Sequence, residues 1–139
     1  MFAFASQEDS WDIYHNLIVK TVEEIWQSLK IHYQVVNLCT GDLGAPNAKK
    51  IDLEAWLPGE KRYLEVVSAS NDTDFQARRL NIKYKDKKGN KKFVQTINST
   101  AVAIGRALIA IMENYQEKDG SISVPKVLKK YCGFAKIKR

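Results

Sequence analysis

KIDLEAWLPGEKRYLEVVSA, residues 50–69, sets the architecture of this chain. Ile51, Leu53, Ala55 and Leu57 alternate with Asp52, Glu54 and Trp56. A strict period of two marks a strand with one buried face. PGEK (58–61) has turn chemistry, and RYLEVVSA (62–69) is a second β-prone run, so the stretch predicts an antiparallel hairpin. With Gly59 and Glu60 at the centre of the turn, Glu54 falls opposite Glu65. Like charges directly opposed across a ladder are destabilising, so this register asks for a nearby cation. A metal-bound nucleotide or a neighbouring Lys or Arg would each serve, and the pattern does not choose between them.

Outward from the hairpin, YQVVNLC (33–39) predicts a strand and TGDLGAPNAKK (40–50) a loop. DTDFQARRLN (72–81) predicts a short helix opened by Asp72 or Thr73, with Arg78 and Arg79 within reach of Asp52 or Glu54. IKYKDKKGNKKFVQTI (82–97) predicts a second hairpin with its tip near Gly89-Asn90. NSTAVAIGRALIAIMENYQ (98–116) predicts one helix, DGSISVP breaks it, and Pro125 opens a last short helix over Lys126–Tyr131. At the other end, Ser6 and Asp9 resemble a capping box, predicting a helix from about residue 7 to Leu29. Its apolar face would be Trp11, Tyr14, Ile18, Val22, Ile25 and Leu29. Hairpins with interspersed helices, without βαβ alternation, imply an α+β fold: an antiparallel sheet flanked by helices, in one domain over residues 1–139.

Hydrophobic residues make up 45% of the chain and charged ones 27%, a balance that excludes intrinsic disorder. The net charge of +6 favours an anionic partner without choosing among nucleotide, RNA and membrane surface. Cys39 and Cys132 lie far apart and imply neither a disulfide framework nor a zinc site. No apolar run is long enough to span a membrane, and the first residues lack a basic signal-peptide region. The expected location is cytoplasmic.

Arg106 is the unusual residue of the 98–116 segment. It shares a helical face with Val102, Ala103, Ala110 and Glu113, and an arginine is almost never buried without a partner. Either it is a fixed cation for a phosphate or a base, or it pairs internally with Glu113. The lysine run KYKDKKGNKK (83–92) either meets nucleic-acid phosphates or is a solvated tip. His15 and His32 have no ligand-spaced partners, and there is no glycine-rich phosphate loop.

Four strings together reach a known family. VVNLCTGDLG (35–44), AKKIDLEAWLPGEKRYLEVVSASNDTDFQARRLNI (48–82), NSTAVAIGRALIAIMENYQ (98–116) and DGSISVPKVL (119–128) closely resemble the seryl-tRNA synthetases, class II aminoacyl-tRNA synthetases. The resemblance is to the C-terminal half of the catalytic domain and covers essentially the whole chain. NLCTGDLG within it suggests the bacterial or organellar type. It implies part of a class II core, with ATP and Mg²⁺ used to convert serine into seryl-adenylate and then charge tRNA(Ser). Arg106 matches the motif 3 arginine that holds the ATP triphosphate, and Glu65, Val66, Val67 and Ser68 match the ATP-binding stretch. Arg106 and Glu65 would be the catalytic pair, and Glu65 and Ser68 the Mg²⁺ ligands. Thr100 matches the position that contacts serine, with Asn98 beside it. Residues three apart on a regular strand face opposite ways, so Glu65 and Ser68 can share a site only if a bulge or strand end lies near Val67. The family usually has serine where this chain has Val67, and often cysteine or an apolar residue where it has Asp72.

In the family, motifs 1 and 2 precede the segment matched here, and motif 2 supplies a further arginine and the glutamate that reads the serine hydroxyl. The expectation is half an active site, without full activity on its own. The family's homodimer forms through motif 1, so the dimeric state of this chain stays open. Residues 1–5 should form an edge strand, and the 139 residues alone should be marginally stable or associate.

Overall fold

The computed structural model describes residues 1–138. Its centre is an antiparallel sheet of β1 (Phe2–Ala5), β2 (Tyr33–Asn37), β3 (Lys49–Leu57), β4 (Arg62–Asn71) and β7 (Gln95–Ser99), in the order β1-β7-β4-β3-β2. The expected hairpin is the middle of that sheet. Leu57 pairs with Arg62 across the turn 58–61, and Glu54 lies opposite Glu65. β4 runs two residues past the expected end at Ala69, and β1 is the expected edge strand.

Alternation gives the sheet two unlike faces. Leu53, Ala55, Leu57 and Val67 pack against the helices as one core cluster. On the opposite face stand Lys50, Asp52, Glu54 and Trp56 of β3. Cross-strand pairing adds Tyr63, Glu65, Ser68 and Ser70 of β4 and Asn98 of β7 to that polar face.

The first helix departs from expectation in start and pitch. Asp9 N–H donates to Ser6 Oγ at 3.1 Å and Ser6 Oγ–H donates to Asp9, but this closes a turn ahead of the helix. The helix proper begins with α1 (Ser10–Asp12), widens into a π-helical stretch over Ile13–Val19, and returns to α geometry in α2 (Lys20–Leu29). The buried residues are Tyr14, Ile18, Val22, Trp26 and Leu29. Ile25 is partly buried against the same core cluster that Trp26 fills, while Trp11 stays exposed. Tyr14 donates its hydroxyl to Ala69 O at 3.0 Å, tying the π stretch to β4. Burial pushes that phenol's pKa up.

The segment 98–116 is not one helix. Asn98 and Ser99 end β7, a tight turn follows with Ala101 at φ +59°, and α4 covers Ile104–Tyr115. Only Ala107 and Ala110 of α4 are buried, against the sheet, while Ile104, Leu108, Ile109 and Met112 remain exposed. Its last turn is pinned to the core layer: Asn114 donates to Trp56 O at 2.8 Å and Tyr115 to Leu29 O at 2.5 Å. Glu113 accepts the Gly59 amide at 2.9 Å, an approach so close that a Cβ at Gly59 would lie 3.0 Å from the carboxylate.

Between β4 and β7 come α3 (Phe75–Leu80) and the small hairpin β5 (Lys83–Lys85) and β6 (Lys91–Phe93). Its tip is where the sequence predicts it. After α4, β8 (Ile122–Ser123), α5 (Lys129–Cys132) and β9 (Lys136–Ile137) close the described chain, with a 3₁₀ turn over Lys126–Leu128 behind Pro125. None of the helices among the described residues is long and apolar enough to cross a membrane.

Trp26 is fully buried where α2, β3 and α4 meet. Trp26→Ala should lower the unfolding free energy by about 3–5 kcal/mol, read as a shifted urea midpoint. A loss below about 1 kcal/mol would mean the cluster is not a packed core.

Candidate functional site

The polar face is organised by one irregularity. Leu53 pairs with Val67 and Glu54 with Glu65, which leaves Val66 without a partner. This is a β-bulge, and it sits next to the expected position. Asp52 consequently faces Ser68 rather than Val67, so Glu65 and Ser68, three residues apart, share one face with Asp52 and Glu54. The Val66 and Val67 side chains turn into the core, at 0% and 2% exposure. Within the expected ATP-binding stretch, these two residues can therefore offer a nucleotide only their backbone.

Arg106 reaches this face along a free strand edge. β7 pairs with β4 only over Ala69–Asn71, and then turns away after Ser99 into α4. Arg106 Nη1 donates to Glu65 O at 2.7 Å and lies 3.4 Å from Glu65 Oε2. The expectation of a buried arginine is overturned: its side chain keeps 48% of its exposure. The internal partner is Glu65 rather than Glu113, because Glu113 is committed to the hairpin turn. An ion pair this exposed contributes about 0–1 kcal/mol, so stability alone does not account for the placement. The other guanidinium N–H groups make no hydrogen bond to the described residues, which leaves a directed fork of donors at the site.

The opposed glutamates are therefore offset by an arginine on one side. Glu54 in turn accepts Gln34 Nε2 at 2.6 Å. Asp52 is buried, 3.3 Å from Lys50 Nζ, and its Oδ1 has no hydrogen-bond partner among the described residues. Arg78 and Arg79 join neither Asp52 nor Glu54. Arg78 pairs with Asp74 at 2.7 Å and holds that carboxyl below its usual pKa, while Arg79 stacks on Phe75.

Thr100 is exposed beside the bulge, its N–H donating to Ser68 O at 3.1 Å. Asn98 is brought to the same face, but its amide is committed: Nδ2 donates to Asp72 Oδ2 at 2.9 Å, and Asn47 Nδ2 donates to Asp72 Oδ1 at 2.6 Å. Asp72 does not cap α3 as expected, since the cap position is Asp74. The Asn47–Asp72–Asn98 chain was missed by the sequence reading, as were Gln34 and Asp52. The one available signal was the departure at Asp72, a carboxylate where the resemblance often has an apolar residue.

The oxygens of Glu65, Ser68 and Asp52 form a hard donor set. Among the described residues no group of three or more His, Cys, Asp or Glu could by itself enclose a metal ion. Oxygens without a closed cage could hold Mg²⁺ only together with phosphate and water oxygens. The set does not suit zinc.

The model of the tRNA synthetase class II core domain (G, H, P, S and T) matches residues 1–115. This chain belongs to that family. It is 55% identical over 137 residues to the serine–tRNA ligase of Pyrococcus abyssi, and 55% identical to that of Picrophilus torridus, in each case over 98% of this chain. The chain spans about 30% of the length of the curated relatives it matches. Among solved structures, the seryl-tRNA synthetase of Pyrococcus horikoshii complexed with ATP superposes with a TM-score of 0.95 at 52% identity, covering 99% of this chain and 31% of that one. The cytoplasmic serine–tRNA ligase of Naegleria fowleri in complex with AMP gives 0.88 at 43%, covering 99% and 32%. The fold is thus the α+β class II synthetase core that the sequence implies. The bacterial or organellar type is not upheld, because the two curated relatives at 55% identity are archaeal. The string NLCTGDLG lies mostly in a surface loop and does not carry that distinction.

Asp72 is 1% exposed and accepts from two amide groups. Asp72→Asn turns one acceptor into a donor that faces another donor. It should cost about 1–3 kcal/mol of stability, measured by chemical denaturation. A neutral result would show that the chain does not depend on both bonds.

Proposed function

We propose that this chain forms the ATP-binding side of a serine–tRNA ligase, which activates serine as seryl-adenylate and transfers it to tRNA(Ser) in the cytoplasm. The observation that carries the reading is the Val66 bulge, which sets Glu65 and Ser68 on one face with Arg106 against Glu65. The similarity to serine–tRNA ligases over 98% of the chain supports it.

In this reading Arg106 holds the triphosphate. Its free N–H groups meet the phosphate oxygens while the Glu65 carbonyl keeps the guanidinium in place. As pyrophosphate leaves, negative charge grows on those oxygens, and a cation already in position needs no reorganisation to stabilise it. Glu65 and Ser68 would hold Mg²⁺, which when bound would screen the phosphate charges. Thr100, beside Ser68, contacts serine, and Asn98, whose Nδ2 is held by Asp72, offers its Oδ1 to the same substrate.

Thermal unfolding of the chain with Mg²⁺-ATP and with a non-hydrolysable seryl-adenylate analogue tests the reading. Saturation at 100 times the dissociation constant adds about 2.7 kcal/mol, a rise of roughly 5–10 °C for a chain of this size. Arg106→Ala should abolish the rise with either ligand. A rise that survives Arg106→Ala, or no rise in a folded sample, would contradict it.

A further inference from the structure

We propose that one face of the β5–β6 hairpin is a phosphate-binding surface for RNA. Residues 83–92 hold six lysines and one aspartate, so they carry +5 of the chain's net +6. Residues 126–139 carry a further +6 with no acid, so net charge alone does not single out this hairpin, and what does is the pairing of its lysines.

The two faces of the hairpin differ. Pairing sets Lys83 opposite Phe93, Tyr84 opposite Lys92 and Lys85 opposite Lys91. On the Tyr84 side, Lys92 is committed to Glu8 at 3.3 Å and Asp86 at 3.6 Å, and the groove there is lined by Asp9 as well as by Lys85, Lys87 and Lys88. That side is electrostatically mixed and does not fit a polyanion. The other side carries Lys83, Lys85 and Lys91. Among the described residues no carboxylate oxygen lies within 4.0 Å of any of these three ammonium groups. Lys85 and Lys91 stand directly opposite each other, an arrangement that costs stability unless an anion relieves it. Phe93 extends the strip, with Lys83 Nζ 4.8 Å and the Arg78 guanidinium 5.1 Å from its ring centroid.

The support is rigid. Asp86, the one acid of the run, accepts the Lys88 and Asn90 amides at 2.9 Å each and so fixes the turn. Gly89 takes φ +82° there, and Lys87 and Lys88 are held exposed at the tip. A membrane surface is a poorer fit, because interfacial binding needs an apolar face. No large hydrophobic residue is exposed between Leu80 and Val102.

The inference rests on the ligase reading only for which RNA is held, namely the substrate tRNA. The test compares two triple variants of the full chain. Lys83→Gln, Lys85→Gln and Lys91→Gln neutralise the strip. Lys20→Gln, Lys118→Gln and Lys129→Gln remove the same charge elsewhere. Each is titrated against a short RNA duplex with a single-stranded 3′ end over a range of salt, and against phosphatidylserine vesicles. The strip variant should bind RNA at least roughly tenfold more weakly at low salt, with a logarithmic salt slope shallower by about 2–3. The control triple should stay near the parent. Equal losses in both variants, no RNA binding by the parent chain, or tighter binding to vesicles than to RNA would each overturn the proposal. The Mg²⁺-ATP response of the strip variant is read in parallel. It should match the parent, so a failed RNA surface and a failed nucleotide site give different results.

Discussion

Val66 has no partner across the β3–β4 ladder, and that unpaired residue decides which atoms meet on the polar face. In an unbroken ladder Val67 would face Asp52, and Ser68 would turn into the core. The bulge spends one residue to prevent this. It sends two adjacent valines inward, where both are buried, and sends Glu65 and Ser68 outward together. The free edge of β4 beside it then gives Arg106 a route from the first turn of α4 to the Glu65 carbonyl. Strand, turn and helix each contribute one group, and the bulge makes them converge.

The same logic explains which parts of the fold were legible. β3 could be read because Ile51, Leu53, Ala55 and Leu57 keep a strict alternation against one helical layer. The bulge left a trace too: Val66-Val67 breaks the alternation between two polar residues that a site would need side by side. The segment 98–116 misled because apolar and small residues continue at helical spacing through the end of a strand. The switch at Thr100–Ala103 carries no glycine or proline, although Ala101 adopts φ +59°, a conformation that ordinarily favours glycine. Local propensity pointed to helix there, while pairing with β4 and β1 made Asn98 and Ser99 strand. The first helix misled in start and pitch, since apolar steps of three and four give no sign of the π stretch over Ile13–Val19.

For the site, the sequence carried the residue types and the structure supplied their partners. The requirement for a cation beside opposed glutamates followed from the register, and Arg106 meets it. Its exposure did not follow, because an apolar helix suggests burial, whereas α4 buries only Ala107 and Ala110. The Asn47–Asp72–Asn98 chain joins a loop, a strand end and another strand more than twenty residues apart. No periodicity in one segment could have shown it.

The most direct test of the account is to locate the divalent cation on the folded chain. Mn²⁺ in place of Mg²⁺, added with ATP, broadens backbone amide signals according to their distance from the metal. The account predicts broadening centred on Glu65 to Ser68, with Asp52 and Thr100 next and the core face of β3 less affected. Broadening centred on the Lys83–Lys92 hairpin, or spread evenly over the surface, would contradict it.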